Sequence, residues 1–365
     1  MHTLLIQDPR SLAELCGRLA AAPWVALDTE FVRESTYYAK LGLLQIALDE
    51  HVACVDPLAV DLTPLLDALY APKVLKVMHA ARQDVEVLYD LRRDTPRPLF
   101  DTQIAAALLG HTAQIGYGNL VEAVTGVKLP KLHTRTNWEA RPLNAEQLRY
   151  AADDVIYLRD VYRRLDAELR ARGRLAWLEE ECTALADSAL YRNDPELAYQ
   201  RFGPGHALAA AAQPVLKALA AWRERTAQTR NRPRTWIASD AALIEIARAS
   251  PTTREALARV REVTTGLVQT HGDDIVSVVR AAGAEPPQVF WNEPTPPTAA
   301  EQNLMRKLLA RVNEVARANA ISAEVLATRR SLSALIRDRA GPLARGWRYE
   351  LIGRELVAML NDGKG

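Results

Sequence analysis

The chain has no apolar run approaching the roughly 18 residues that a membrane-spanning helix needs, so it is read as a protein that does not enter a bilayer. Its start, Met-His-Thr-Leu-Leu-Ile-Gln-Asp, has no basic stretch followed by an apolar block, so no signal peptide is expected and a cytoplasmic location is. Only three of its 365 residues are cysteine, Cys16, Cys54 and Cys182. They are far apart and none forms a Cys-x-x-Cys pair, which argues against a zinc site and a disulfide framework. No Walker A pattern occurs, which excludes an ATP-driven motor and leaves no call for a nucleotide cofactor. Net charge is also scarce, at +1 overall. Its distribution is not even. Residues 1–204 hold 23 Lys+Arg against 29 Asp+Glu, whereas 205–365 hold 23 against 16. An acidic front suits a site that collects cations, and a basic back suits a surface that holds phosphates.

What is present reads as three units. Pro and Gly break the chain over about 193–209, and five prolines between 286 and 297 predict a semi-rigid spacer over about 285–297. The units are then 1–192, 210–284 and 298–365. The first alternates strands and helices. Strands are predicted at Trp24–Asp28, Leu41–Leu48, His51–Val55 and Lys73–His79, the middle two joined at a hairpin-like break at Asp49-Glu50. Helices are predicted over 62–70, from Asp84 onward, and over 102–110, 118–125 and 146–169. The pattern gives an α/β unit with a mixed sheet flanked by helices. The later units repeat apolar residues at three and four and read as all-helical, of similar size and type, so that a diverged repeat is plausible.

Three short segments carry candidate chemistry. In Asp28-Thr29-Glu30 a strand points both carboxylates to one side. On the helix 146–169, Tyr150 and Asp154 stack at i and i+4 on the face that borders Ala151, Val155 and Leu165. Asp153 falls on the other face and is expected to be solvated. Asp84 follows a strand and opens a helix. A carboxylate turned toward a core costs several kcal/mol unless a cation or hydrogen bonds compensate. Four carboxylates without His or Cys suit two hard ions such as Mg²⁺ or Mn²⁺. A pair of these activates a water and stabilises a leaving oxygen in phosphodiester cleavage. Tyr150 stands where it can orient the attacking water.

At these residues the sequence resembles the DEDD superfamily of 3′→5′ exonucleases, in its tyrosine branch, and specifically the ribonuclease D family. The resemblance runs through Ala-Leu-Asp28-Thr-Glu30-Phe-Val-Arg, Leu41-Gly-Leu-Leu-Gln45-Ile, His79…Asp84-Val-Glu, Phe100-Asp101-Thr-Gln, Trp138…Arg141-Pro-Leu and Tyr150-Ala-Ala-Asp-Asp154. Where relatives often carry Asn before the third acidic residue, this chain has His79-Ala-Ala-Arg-Gln. Residues 210–284 resemble an HRDC domain and 298–365 a second, more diverged one. The resemblance implies a ribonuclease-H-like exonuclease unit that releases 5′-monophosphates. Asp28, Glu30, Asp84 and Asp154 are then the metal ligands and Tyr150 a catalytic residue. It further implies an RNA partner, with trimming of tRNA precursors and other small structured RNAs at their 3′ ends; the sequence leaves the oligomeric state open, with a monomer favoured. Gln45, Lys131, Arg141, Arg225, Arg230, Arg232 and Arg234 are secondary candidates for RNA contact. A DNA 3′→5′ exonuclease of the proofreading or Werner type remains an alternative, because the same metals cleave either backbone. So, more remotely, does an inactive scaffold or a pure interaction protein.

Overall fold

The computed structural model describes residues 3–130, 136–202, 208–291 and 297–362. It falls into two compact units. One gathers the described residues of Met1–Val32, Leu41–Leu190 and Pro297–Gly365, the other those of Arg33–Lys40 and Tyr191–Pro296.

The first unit is built on a six-stranded sheet in the order β1-β4-β3-β2-β5-β6. The strands are β1 (Thr3–Ile6), β2 (Trp24–Val32), β3 (Lys40–Ala47), β4 (Val52–Val55), β5 (Leu75–Met78) and β6 (Leu99–Asp101). β1 and β4 are parallel, β3 and β4 antiparallel, and β2, β5 and β6 run parallel to one another, so the sheet is mixed as its sequence predicts. The expected break at Asp49-Glu50 is closed by Leu48 N–H donating to the His51 carbonyl at 2.8 Å. Helices α1 (Pro9–Ala21), α2 (Thr63–Leu69), α3 (Arg82–Arg92), α4 (Thr102–Leu108), α5 (Tyr117–Thr125), α6 (Ala145–Ala171) and α7 (Leu175–Leu185) accompany the sheet. β1, α1, β6 and α7 add to the elements expected. α1 starts where Asp8 accepts from the Arg10 and Ser11 amides and Pro9 fixes the first turn. α6 starts at a capping box of Asn144 and Gln147. The central strands β3 and β4 are buried on both faces, which explains their unbroken apolar runs.

The last segment of the chain packs within this same unit. It contributes α13 (Ala299–Ala318), α14 (Ala323–Leu326), α15 (Arg329–Asp338), α16 (Gly346–Arg348) and α17 (Arg354–Asp362). Trp347 stacks on Trp177 of α7 with ring centroids 4.7 Å apart and planes 12° apart. Its amide and indole N–H donate to Glu180 and Glu181, and Arg348 forks onto Glu181. Gly346 has φ +62, and a Cβ there would displace the Glu180 carboxylate, so glycine favours this approach.

The second unit is helical: α8 (Ala212–Arg230), α9 (Arg234–Ile237), α10 (Asp240–Ala249), α11 (Arg254–Leu257) and α12 (Thr265–Gly283). Its core centres on Val215, Leu219, Leu243, Ile246 and Ile275. The stretch expected as a linker is packed in part: Pro195–Arg201 is helical, and Ala198 and Phe202 join this core. Phe290 and Trp291 pack likewise against Tyr199. α8, α9 and α10 have 19, 4 and 10 residues, and α13, α14 and α15 have 20, 4 and 10. No helix among the described residues is long and apolar enough to cross a membrane.

Candidate active site

β2 runs further than its sequence suggests, to Val32. Its ladder with β5 pairs Trp24 with Leu75 through Ala26 with Val77, so Asp28 stands two residues beyond the last pair with β5. Asp28, Glu30 and Asp154 each bring a carboxylate oxygen within 4.8 Å of the others. Alternation along β2 supplies the first two and the inward face of α6 supplies the third. Between them, the Thr29 hydroxyl donates to Asp84 Oδ1 at 2.5 Å, and the Asp84 charge acts on both Asp28 and Glu30. Asp84 thus adjoins the cluster from the first turn of α3.

The turn that delivers Asp84 is fixed by Asp101. Its carboxylate accepts from the amides of Ala80 and Ala81 at 3.2 and 2.9 Å, and it also caps α4. Ala80 is held at φ +53, a left-handed conformation that these bonds offset. His79 bridges the Thr102 hydroxyl and the Ile115 carbonyl, at 3.0 and 3.1 Å, and so ties this turn to the start of α5.

The four carboxylates sit in an environment that opposes their ionisation. Burial first, then Asp84, Asp154 and Glu30, raise Asp28 well above the ordinary carboxylate range. Burial, then Asp154 and Asp84, push Glu30 up to about 8. Burial, then Asp153 and Asp84, bring Asp154 to about 7. Asp84 reaches about 6 through burial, against the lowering effect of the Thr29 hydrogen bond. Among the described residues no salt bridge reaches any of the four. Buried like charges without a protein cation are the electrostatic mark of a cation site. The donor set is all oxygen, which fits a hard divalent ion.

Tyr150 lies one turn before Asp154. Burial and the charges of Asp154, Glu30 and Asp28 raise its phenol, which keeps its proton. Trp138, only 4% exposed, stacks beside Tyr150 with centroids 6.4 Å apart and planes 26° apart. Tyr150, Asp154 and Asp153 line a cleft of about 340 Å³ together with Tyr117, Lys128 and Arg149. Asp153 is half-buried in this cleft rather than solvated, because α5 crosses α6 there and Tyr117 donates to the Asp153 carbonyl at 2.9 Å.

Several residues expected to touch RNA are otherwise engaged. Gln45 is fully buried in β3, whose two faces are both covered, and presents no surface. Arg141 is tied inward. Its guanidinium forks onto Asp56 at 2.7 Å twice and reaches the carbonyls of Gly42, Trp138 and Ala140. That uses all five of its donors. A Cβ on Gly42 would meet Trp138 Cβ at 2.6 Å, so glycine lets β3 and this segment touch. Arg234 forks onto Glu224 and lies 4.5 Å over the Tyr37 ring, and Arg225 pairs with Glu196 at 2.6 Å. Arg230 and Arg232 line a cleft in the helical unit. Lys131 lies outside the described residues. Sequence reasoning gave no role to Thr29, His79, Asp101, Trp138 or Tyr117. Their proximity to the quoted motifs was the available signal; their partners were not legible.

Comparison with known proteins places this geometry. The family described as 3'-5' exonuclease matches residues 4–170, and the HRDC domain matches residues 212–279. A curated protein of Acidiphilium cryptum named Ribonuclease D is 39% identical over 98% of this chain and 92% of its own. Another with that name, from Gluconacetobacter diazotrophicus, is 40% identical over 99% and 93%. The chain belongs to the ribonuclease D family. Among solved structures, Escherichia coli RNase D, titled an exoribonuclease involved in structured RNA processing, superposes with a TM-score of 0.88 at 32% identity, covering 99% of each chain. Like other members of the ribonuclease D family, this chain is a 3′→5′ exoribonuclease that works on RNA with divalent metal.

Proposed function

We propose that Asp28, Glu30, Asp84 and Asp154 hold two divalent ions, Mg²⁺ or Mn²⁺, and that Tyr150 orients the attacking water. The observation that carries this is a half-buried cluster of carboxylates that no salt bridge among the described residues reaches, beside a protonated tyrosine at the edge of a cleft. Two such ions, when bound, supply an activated water and a stabilised leaving 3′ oxygen. The chain's own part is positional. β2 and α6 present three ligands from rigid elements, and Thr29 and the Asp101-bound turn hold the fourth. Tyr150 stays protonated and donates a hydrogen bond. Trp138, anchored through Arg141 and Asp56, backs the tyrosine ring. The products are 5′-monophosphates.

The substrates under this reading are the 3′ ends of tRNA precursors and other small structured RNAs, and the work is done in the cytoplasm by a monomer. The E. coli relative is an exoribonuclease involved in structured RNA processing, which supports the substrate class. The helical unit 210–284 and the tail 298–365, read as a second HRDC-like domain because its helix lengths repeat, grip the body of the RNA while the acidic unit takes the 3′ end. Incubating the pure chain with 3′-labelled and 5′-labelled tRNA precursor, and with matched DNA, tests this. Immediate release of the 3′ label with stepwise shortening of the 5′-labelled RNA, only with Mg²⁺, supports it. Internal fragments, or faster digestion of the DNA, contradict it.

A further inference from the structure

The four arginines that crowd the segment around Pro233 are not equivalent. Arg234 is spent on Glu224 and Tyr37, and Arg225 on Glu196. Arg230 and Arg232 instead line a cleft of about 600 Å³ between α9, the end of α8 and the start of α12. That volume lies within the ~300–1,000 Å³ typical of small-ligand sites. One wall of it is Trp236, 60% exposed on a four-residue helix and the most exposed of the large apolar side chains described. An indole left this far in water forgoes burial that its neighbour Ile237, 7% exposed, obtains. The Arg232 guanidinium lies 5.7 Å from the Trp236 ring centroid. Burial first and the Arg230 charge second hold the His271 imidazole in the same cleft below its usual pKa, which puts Arg230 near the cleft's inner wall. Thr264 and Gly266, at the start of the 19-residue α12, complete the rim, where the helix dipole also favours an anion. Glu262 is one acidic side chain in the lining against the two arginines.

We infer that this cleft binds an unpaired RNA nucleotide, with its base stacked on Trp236 and its flanking phosphates on Arg230 and Arg232. An exposed ring with a cation at its side matches the stacking-plus-phosphate mode by which single strands are held. A base within a duplex has no free face to offer, so the site discriminates for single-stranded RNA. The inference rests on the reading that RNA is the substrate and adds which part of it the helical unit holds.

The test uses the full chain in EDTA, with binding followed by anisotropy of a labelled single-stranded oligoadenylate and of a blunt RNA hairpin. Trp236→Ala weakens oligoadenylate binding roughly tenfold, while Trp236→Phe, which keeps a stacking face, stays near wild type. Arg230→Gln and Arg232→Gln each flatten the salt dependence by about 0.7 in log–log slope, the contribution of one phosphate on a single strand. Hairpin binding is the same for wild type and Trp236→Ala. Unfolding curves superimpose, because the ring is mostly in water. Oligoadenylate binding unchanged by Trp236→Ala overturns the inference. So does an equal loss for Trp236→Phe, or an equal loss on the hairpin. Cleavage of a trinucleotide with Mg²⁺ is read separately on the same proteins: failure of the wild type to cleave it counts against the exonuclease reading, whatever the cleft binds.

Discussion

Two sets of buried carboxylates in this molecule behave in opposite ways. Glu224, 2% exposed in the helical unit, accepts from Tyr37 and from both arms of Arg234. Burial alone would raise its pKa, but these partners hold it below the ordinary range. Asp84 is buried, Asp28, Glu30 and Asp154 are half-buried, and all four are raised. The difference is the counter-ion. Where the fold supplies a cation, a buried acid is a structural clamp; where it supplies more acids, the missing positive charge must come from outside. Glu224 joins α8 to the segment around Tyr37, whereas among the described residues no salt bridge reaches the four acids.

The comparison is broken most directly by removing acids from each set. Asp28→Ala, Glu30→Ala, Asp84→Ala and Asp154→Ala each lower kcat by roughly 10³-fold or more, the consequence of losing several kcal/mol of transition-state stabilisation. Asp153→Ala stays within about tenfold of wild type, since its carboxylate lies outside the cluster. Initial rates on a short labelled RNA measure all five. An inactive Asp153→Ala beside an active Asp154→Ala would reverse the assignment of α6's faces.

Tyr150→Phe removes one hydroxyl and lowers kcat roughly 10²-fold with RNA affinity unchanged, because water positioning acts on the transition state. Arg141→Gln acts more weakly and at a distance. It frees the Trp138 segment from Asp56 and lowers kcat about tenfold with KM unchanged, and that loss disappears in a Tyr150→Phe background. A loss that persists in the double variant would show that Arg141 serves the fold and not the tyrosine.

The motif residues were legible because their geometry is local. Asp28 and Glu30 share a side of β2 by alternation, and Tyr150 and Asp154 share a face of α6 by the helical repeat. What stayed hidden depended on partners distant in the chain. Arg141 meets Asp56 across 85 residues and Tyr37 meets Glu224 across 187, so neither pairing leaves a periodic trace. Gln45 sits in an apolar run that reads as a strand, but its complete burial follows from the covering of both faces of β3. The charge division was also only partly informative. Residues 297–365 hold 12 Lys+Arg against 7 Asp+Glu, so most of the basic surplus of the back half lies in the segment that packs with the acidic exonuclease unit. Arg348 and Arg311 of that segment are paired with Glu181 and Glu355.

On the other side of the comparison, Glu224→Gln leaves cleavage of short single strands unchanged and destabilises the helical unit by about 3 kcal/mol, because Arg234 loses its buried partner. Urea unfolding of the full chain measures it. A wild-type unfolding curve with impaired cleavage would mean that this clamp belongs to the active site.

The smallest effect, and the most direct test of why the acids are there, is the pH dependence of thermal stability with and without Mn²⁺. Glu30 titrates near its ordinary 4.5 when unfolded and at about 8 when folded. Between those values the folded chain holds the extra proton, so the stabilisation is complete below about 4.5 and is lost as pH rises through about 8. The metal-free wild type therefore loses Tm relative to Glu30→Gln across that window. Mn²⁺ binds the ionised cluster and reverses the trend, raising the wild-type Tm most at the alkaline end. Asp28→Ala abolishes the Mn²⁺ response and Glu224→Gln retains it. An equal Mn²⁺ shift in wild type and Asp28→Ala, at every pH, would contradict the assignment of these carboxylates as the metal site.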